Sequence, residues 1–238
     1  SADYSNLISE LQKIESDPKL SSQLPIILEL SGANNIDTHL ESVKKGRLHK
    51  SEDISFALDE KYILIFKTMD STEKRMFAEY KYILAEYLQG TLQWMQREGI
   101  VCRFYIGTFQ NSFLKYHYAY RHCRWLEKNT KSRHNSVYFY DHICDFVQSI
   151  VPEDELDHIF NVYRKILPED MQNSCKELIN TLVDTNFNTA KASEALYMHK
   201  NTFLYQYNKI RDVLNVNPQS SYEDKWFLIF LQLFLRKK

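Results

Sequence analysis

The sequence is short of glycine and proline, with five of each among 238 residues. Collagenous, loop-rich and disordered chains need far more of both, so the composition indicates a folded protein with a regular core. The five glycines stand apart, and neither G-x-G-x-x-G nor G-x-x-x-x-G-K-[ST] occurs. Phosphate-binding loops of these two kinds are therefore excluded.

Cysteine is scarce as well, and the four residues of this type stand 21, 21 and 31 positions apart. That spacing gives no CxxC motif and favours reduced thiols over a disulfide scaffold. Long apolar runs are absent, since the longest, Trp226 to Leu235, has ten residues and is interrupted by a glutamine. A bilayer span needs about 20 residues. No signal peptide is evident either, so we expect a cytoplasmic protein that does not bind membranes.

Neither sign of charge dominates, because 30 Lys and Arg residues face 31 Asp and Glu residues, for a net charge of −1. The global charge thus predicts no strong attraction to nucleic acid or membrane. The distribution is uneven, since residues 174–238 hold nine basic and six acidic side chains. A net charge of +3 is a weak argument for any partner by itself.

Hydrophobic patterning predicts two architectures along the chain. After a helix over residues 1–20, the predicted order is β-α-β-β-α-β-α-β, typical of helices interleaved with one mixed sheet. Only helices are predicted beyond Pro152. The predicted fold class is α+β, a mixed-sheet domain followed by an all-α domain. The predicted limits are 1–22 for an N-terminal helix or linker, 23–150 for the α+β domain, 151–173 for connecting helices and 174–238 for the C-terminal helical domain.

Residues 188–210 have the spacing of a helix-turn-helix. Asn188 or Thr189 is a suitable N-cap for a short helix with small side chains, which would let a second helix cross closely. Residues 197–199 supply the turn, and Asn201 or Thr202 is a suitable N-cap for the second helix. An ordinary helical hairpin has the same spacing, so spacing alone leaves both interpretations open.

The second helix has two distinct faces. At about 100° per residue, one face is an apolar stripe that we expect to be buried, formed by Phe203, Tyr207, Ile210 and Leu214. The opposite face is polar and partly basic, as major-groove binding requires. It carries Asn201, Thr202, Tyr205 and Lys209, with Lys200 at the tip.

Two motifs in this region are Leu178-x-x-Thr181-Leu182 and Leu196-x-Met198-His199-Lys200-Asn201-Thr202-Phe203-x-Tyr205. They resemble the C-terminal helix-turn-helix of the purine catabolism regulator and carbohydrate diacid regulator family. The resemblance continues to an apolar terminal helix, Tyr222 to Leu235, predicted as a core helix with dimerisation as an added role. It implies a DNA-binding transcriptional regulator that is not an enzyme and needs no cofactor.

The middle of the chain resembles the same family more weakly. Val101-Cys-Arg-Phe-Tyr-Ile-Gly107 and Val137-Tyr-Phe-Tyr-Asp141 are similar to the cyclase-like (GGDEF-like, ferredoxin-like) domain that precedes the helix-turn-helix. A diguanylate cyclase needs a Gly-Gly-acidic hairpin to admit nucleotide and metal. The corresponding turn, Leu58-Asp59-Glu60-Lys61, has no glycine. We therefore expect a catalytically silent domain that serves regulation or dimerisation.

The chain departs from the family pattern at positions that bear on DNA binding. Gln206 stands where the family usually has arginine, and Asn215 where it often has glycine. The second helix carries few positive charges, which are those of Lys200, Lys209 and Arg211. Weak binding as a monomer, or binding as a dimer to two half-sites, would follow.

We expect Asn201 or Gln206 to read adenine edges, and Lys200 and Lys209 to meet phosphate or guanine. The full set of candidate DNA contacts is Thr189, Lys191, His199, Lys200, Asn201, Thr202, Tyr205, Gln206 and Lys209. The expected partners are double-stranded DNA, a second copy of the chain and a small-molecule effector of unknown identity.

Other interpretations remain open. A protein-interaction adaptor that has lost DNA binding is one, since Leu204 and Gln206 occupy positions that are often basic in relatives; a nucleotide-binding or cyclase-type enzyme is another. His117, His122 and Cys123 have the wrong spacing for a helical metal site. The basic side chains after them form either a solvated face or a site for DNA backbone or an anionic effector: Arg121, Arg124, Lys128, Lys131 and Arg133.

Overall fold

The computed structural model of the chain describes residues 23–32, 35–46, 49–69, 76–110, 115–132, 134–163 and 169–236. The chain divides into two compact units, Ser1–Ile143 and Cys144–Lys238. The helix predicted over residues 1–20 lies outside the described residues. The finer limits of the four predicted segments stay predictions.

The first unit is built on a five-stranded mixed sheet. Its strand order is β2-β3-β1-β4-β5, and all pairs are antiparallel except β4 with β5. The first four strands and two helices follow the split βαβ, ferredoxin-like connection. The predicted α+β class and order of elements are confirmed. The elements are β1 (Gln23–Ser31), α1 (Ile36–Lys44), β2 (Ile54–Ala57), β3 (Tyr62–Thr68), α2 (Met76–Arg97), β4 (Val101–Ile106), α3 (Tyr116–Asn129), β5 (Ser136–Tyr138), a 3-10 turn (Phe139–Asp141) and α4 (Ile143–Ser149), which crosses the unit boundary.

Helices cover both faces of this sheet. Alternate strand residues such as Ile26 and Ile63 share a core with Leu84 of α2. On the opposite face, the ring of Phe66 stacks on that of Tyr116 of α3 at 4.9 Å between centroids. Every residue of β3 is buried, because helices cover both faces of the sheet. A strand covered in this way has a nearly continuous apolar sequence.

Gly107 follows β4 directly and lies against α3. A Cβ atom at this position would come within 2.6 Å of the carbonyl oxygen of Ala119 and 2.8 Å of Cys123 Sγ. Both distances are shorter than a carbon contact tolerates, so this close approach of strand and helix requires glycine.

A buried charge cluster lies at one end of the sheet. Lys67 Nζ of β3 is 2.5 Å from Asp53 Oδ2, and both side chains are at most 5% exposed. Asp53 also accepts hydrogen bonds from the backbone N–H groups of Lys50 and Thr68. Burial lowers the pKa of Lys67, while the hydrogen bond to Asp53 opposes that shift. The carboxylate is thus held by two amides and an ammonium group, as a buried ion pair requires.

The second unit is all-helical. Its core joins Leu156 and Phe160 of helix Glu153–Phe160 to Leu178 of helix Glu169–Asp184 and to Phe234 of the last helix. Among the described residues, no helix in either unit is long and apolar enough to cross a membrane. After α4, the helices are α5 (Glu153–Phe160), α6 (Glu169–Asp184), α7 (Thr189–Ala195), α8 (Lys200–Leu214) and α9 (Tyr222–Arg236).

Helix α9 packs into this core through one face. Its most buried residues are Leu228, Leu231, Gln232 and Phe234. The rings of Trp226 and Phe230 stack at 5.6 Å between centroids, and both side chains are only half-buried. The predicted core role is confirmed for the buried face, while the dimerisation role stays a prediction.

Candidate nucleic-acid interface

Helix α7 begins with the predicted N-cap. The side-chain Oδ1 of Asn188 accepts hydrogen bonds from the N–H groups of Ala190 and Lys191, both at 3.1 Å. Two of the small residues, Ala192 and Ser193, are buried. They let α8 pack closely on α7, as the sequence predicts for a helix-turn-helix.

The turn between α7 and α8 is a Schellman motif. The N–H of Tyr197 donates to the carbonyl of Glu194 at 3.0 Å, and the N–H of Met198 to that of Ser193 at 2.9 Å. Tyr197 adopts a left-handed conformation with φ of 53°. Two carbonyl groups at the end of α7 are thereby satisfied, and the chain turns sharply into α8.

The predicted N-cap of α8 is wrong. The cap is His199, whose Nδ1 accepts a hydrogen bond from the N–H of Asn201 at 3.3 Å. Asn201 and Thr202 stand inside the first helical turn, with exposed side chains. Neither side chain is used for capping, so both are available for contacts outside the helix.

The buried stripe of α8 is confirmed. Phe203, Tyr207, Ile210 and Leu214 are all buried. The hydroxyl of Tyr207 donates to Gln219 Oε1 at 2.9 Å, and burial raises the pKa of Tyr207. These contacts fix the rotation of α8 about its own axis, which decides the residues that face outward.

The outward face of α8 carries the predicted polar residues. Tyr205 is 71% exposed. Among the nine candidate contacts, Thr189 and Gln206 are half-buried and the other seven are exposed. Gln206 Oε1 is shielded from solvent and lacks a hydrogen-bond partner among the described residues. Exposure places these residues at the surface, and their individual roles stay predictions.

The C-terminal end of α8 is fixed by its own contacts. Asn215 is the C-cap, with φ of 52° and ψ of 49°, a left-handed conformation that asparagine tolerates better than most residues. Arg211 Nε donates to the carbonyl of Val216 at 3.3 Å, and its guanidinium lies 5.8 Å from the Tyr207 ring centroid. Arg211 is therefore engaged in the fold, which leaves Lys200 and Lys209 as the exposed cations of this helix.

The turn that corresponds to the cyclase hairpin has a structural role. Asp59 Oδ1 accepts hydrogen bonds from the N–H groups of Lys61 and Tyr62 at 2.8 and 3.0 Å. This is an Asx turn, in which the carboxylate closes the hairpin in the absence of glycine. The side chains of Asp59 and Glu60 are exposed.

The histidines and cysteine of α3 do not form a cluster. His117 is exposed, whereas His122 stacks on Phe139 at 4.1 Å between ring centroids. Cys123 Sγ donates to the carbonyl of Pro25 at 3.3 Å, and burial raises the pKa of this thiol to about 12. Among the described residues, no group of three His, Cys, Asp or Glu side chains is placed to hold a metal ion.

The basic residues of α3 differ in their surroundings. Arg124 lies over the ring of Tyr62 at 4.9 Å and 3.6 Å from Glu127, so it has a structural role. Lys128 and Lys131 are exposed. Arg133 lies outside the described residues. A role for this surface in binding DNA or an anionic effector stays a prediction.

Part of the second unit is similar to a known domain family. Residues 176–233 match the PucR C-terminal helix-turn-helix domain. The match runs from within α6 to within α9, so it includes both helices of the motif and the two that support them. The helix-turn-helix prediction is confirmed, and this match supports a DNA-binding transcription regulator. No curated protein matches the chain at a significant level.

The matched domain leaves the first unit outside it. The cyclase-like character predicted for residues 23–150 therefore stays a prediction, although its sheet has the expected mixed topology. The sequence pattern places Tyr197 only in the turn. In the structure this side chain is 98% exposed, next to the start of α8. The signal available in the sequence was a tyrosine at a turn position where glycine is usual.

Proposed function

We propose that this protein is a cytoplasmic DNA-binding transcriptional regulator whose helix α8 enters the major groove. The observation that carries the proposal is the exposed polar first turn of α8, Lys200 to Thr202, in a segment that matches a helix-turn-helix domain. The recognition helix of such a motif contacts base edges through its N-terminal residues. The buried stripe of the same helix leaves this turn facing outward.

The proposed contact residues have chemically suitable roles. The Asn201 amide has the donor and acceptor pair that reads an adenine edge, and Gln206 is the alternative reader. Lys200 and Lys209 meet phosphate or guanine. Lys191, on the first helix of the motif, would meet the backbone that this helix crosses. Thr189, His199, Thr202 and Tyr205 complete the proposed surface.

The first unit is proposed to regulate rather than catalyse. The Asx turn at Asp59 engages the carboxylate that a cyclase hairpin would direct at metal, which supports a non-catalytic, cyclase-like domain. Such a domain would respond to a small-molecule effector or bring two copies together. Helix α8 carries few positive charges, so one copy would bind DNA weakly. A dimer that contacts two half-sites on one duplex would bind more tightly than one copy.

The direct test is the double variant Lys200→Ala/Lys209→Ala in a low-salt binding assay with genomic DNA fragments. The slope of log affinity against log salt concentration is negative, and losing two phosphate contacts makes it shallower by about 2. The matched control is Lys44→Ala/Lys45→Ala, which removes the same charge from an exposed site at the end of α1 and leaves the slope unchanged.

The outcomes separate the proposal from its main alternative. If the double variant binds with the affinity and salt slope of the unaltered chain, α8 is not the recognition helix. If the unaltered chain retains no genomic fragment even at low salt, the adaptor interpretation replaces the regulator. The half-buried positions of Leu204 and Gln206 in α8 would then be part of a protein-binding helix.

A further inference from the structure

Tyr197 combines full exposure with a backbone conformation that tyrosine rarely adopts. Its side chain is 98% exposed, and its φ of 53° lies where the Cβ of an L-residue crowds the next carbonyl oxygen. The Schellman turn at the end of α7 imposes this conformation through the backbone bonds to Glu194 and Ser193. Glycine is the usual residue at that position because it carries no Cβ.

The other described non-glycine residues with positive φ each have a compensation. Asn186 and Asn215 are asparagines, the residue type that best tolerates the left-handed region after glycine. Phe187, with φ of 60°, packs its ring against the core of the second unit, so burial offsets the strain. Neither compensation applies to Tyr197.

Strained residues cluster at functional sites, where the surrounding structure maintains the strain. We propose that the hydroxyl of Tyr197 donates a hydrogen bond to a phosphate oxygen of the DNA strand that borders the major groove occupied by α8. This inference rests on the proposed function. It adds a backbone-binding residue at the turn to the contacts on the two helices.

The position of Tyr197 favours phosphate over a base edge. It lies three residues before Lys200, where α8 begins, and so outside the first turn that reads bases. A residue at this rim meets the sugar-phosphate backbone, for which tyrosine hydroxyls are established donors. The ring has only two side-chain torsions, so ordering it on binding costs little entropy.

The test compares the unaltered chain with Tyr197→Phe and Tyr197→Gly. Binding is measured by fluorescence anisotropy with a labelled random-sequence duplex at low salt, because a phosphate contact does not depend on sequence. Each variant is expected to bind about tenfold more weakly. The salt slope stays unchanged, because no charge is removed.

Thermal unfolding separates a binding role from a structural one. Tyr197→Gly relieves the backbone strain and is expected to raise the melting temperature of the second unit by about 4 °C. Tyr197→Phe leaves the melting temperature unchanged. A tyrosine with a purely structural role would show the opposite pattern, with lower stability and unaltered DNA affinity.

The matched control is Tyr82→Phe, which removes the hydroxyl of a tyrosine that is 78% exposed on α2 of the first unit, and which leaves DNA affinity unchanged. If the unaltered chain binds the duplex and both Tyr197 variants bind equally well, the inference fails while the proposed function stands. If only Tyr197→Gly binds more weakly, the hydroxyl contact is refuted. If the unaltered chain does not bind the duplex, both proposals fail together.

Discussion

The side-chain amide of Gln232 joins the terminal helix α9 to the end of α6 through Asp184. Gln232 Nε2 donates to Asp184 Oδ1 at 3.0 Å and to the carbonyl of Asn180 at 3.1 Å. Gln232 is only 2% exposed. Arg236 is exposed, and its Nη2 donates to both oxygens of the Asp184 carboxylate at 2.6 Å. A polar residue in an apolar helix thus fixes the rotation of α9 against the helix that supports the helix-turn-helix.

Gln232→Leu is expected to lower the free energy of unfolding of the second unit by about 1–2 kcal/mol. Leucine fills most of the space but leaves the Asn180 carbonyl and one Asp184 oxygen without this donor. Urea titration followed by circular dichroism measures the change. Gln93→Leu, at an exposed position of α2, is the control with little effect. Equal stability of Gln232→Leu and the unaltered chain would contradict the role given to this amide.

Asp53→Asn is expected to destabilise the first unit by about 3–5 kcal/mol, because it leaves the buried ammonium of Lys67 without its counter-charge. The control is Asp141→Asn, which breaks the ion pair of Asp141 with Lys81, whose side chains are 51% and 43% exposed. Such surface pairs contribute less than about 1 kcal/mol. Chemical denaturation of both variants measures the difference.

A second variant distinguishes the ion pair from general packing. Replacing both partners, as Asp53→Leu/Lys67→Met, removes the unpaired charge and is expected to recover much of the lost stability. If the double variant is less stable than Asp53→Asn, the amide hydrogen bonds of Lys50 and Thr68 to the carboxylate matter more than the charge of Lys67.

His199→Ala is expected to destabilise the second unit by about 1 kcal/mol, since it removes the acceptor at the N-terminus of α8. His199→Ser supplies a hydroxyl acceptor at the same position and is expected to retain most of the stability. Thermal unfolding of the two variants gives the comparison. If alanine and serine were equivalent there, the hydrogen bond from Asn201 to His199 would contribute nothing to the helix.

The sequence predicts features that repeat with a regular period and misses those that depend on a single distant partner. The stripe from Phe203 to Leu214 follows from helical periodicity and is confirmed. Gln232 looked like an interruption in an apolar run, because its partner Asp184 is 48 residues away. The predicted N-cap of α8 is wrong for another reason. Asparagine and threonine outrank histidine as caps, but the Schellman turn sets where the helix begins.

The pH dependence of the first unit gives a final prediction, centred on His122. Burial, reinforced by the charge of Arg121, lowers the pKa of His122 from its ordinary 6.5 to about 4. The unfolded chain therefore binds a proton between these values that the folded chain does not, so stability is complete above pH 6.5 and falls towards pH 4. His122→Phe keeps a ring against Phe139. It is expected to reduce the loss of unfolding free energy between pH 6.5 and pH 4 by on the order of 2 kcal/mol.

The measurement is urea unfolding at several pH values, followed by tryptophan fluorescence. Trp94 and Trp125 lie in the first unit, and Trp226 of the second unit is replaced by phenylalanine in every chain compared, so that the signal reports on the first unit. His117→Phe, at an exposed position on the same helix, controls for the loss of a histidine and is expected to keep the slope of the unaltered chain. Replacing His122 also removes its hydrogen bond with Thr108, which changes the stability by a constant offset and leaves its slope against pH unaffected. Parallel slopes for His122→Phe and His117→Phe would show that the proton is taken up elsewhere.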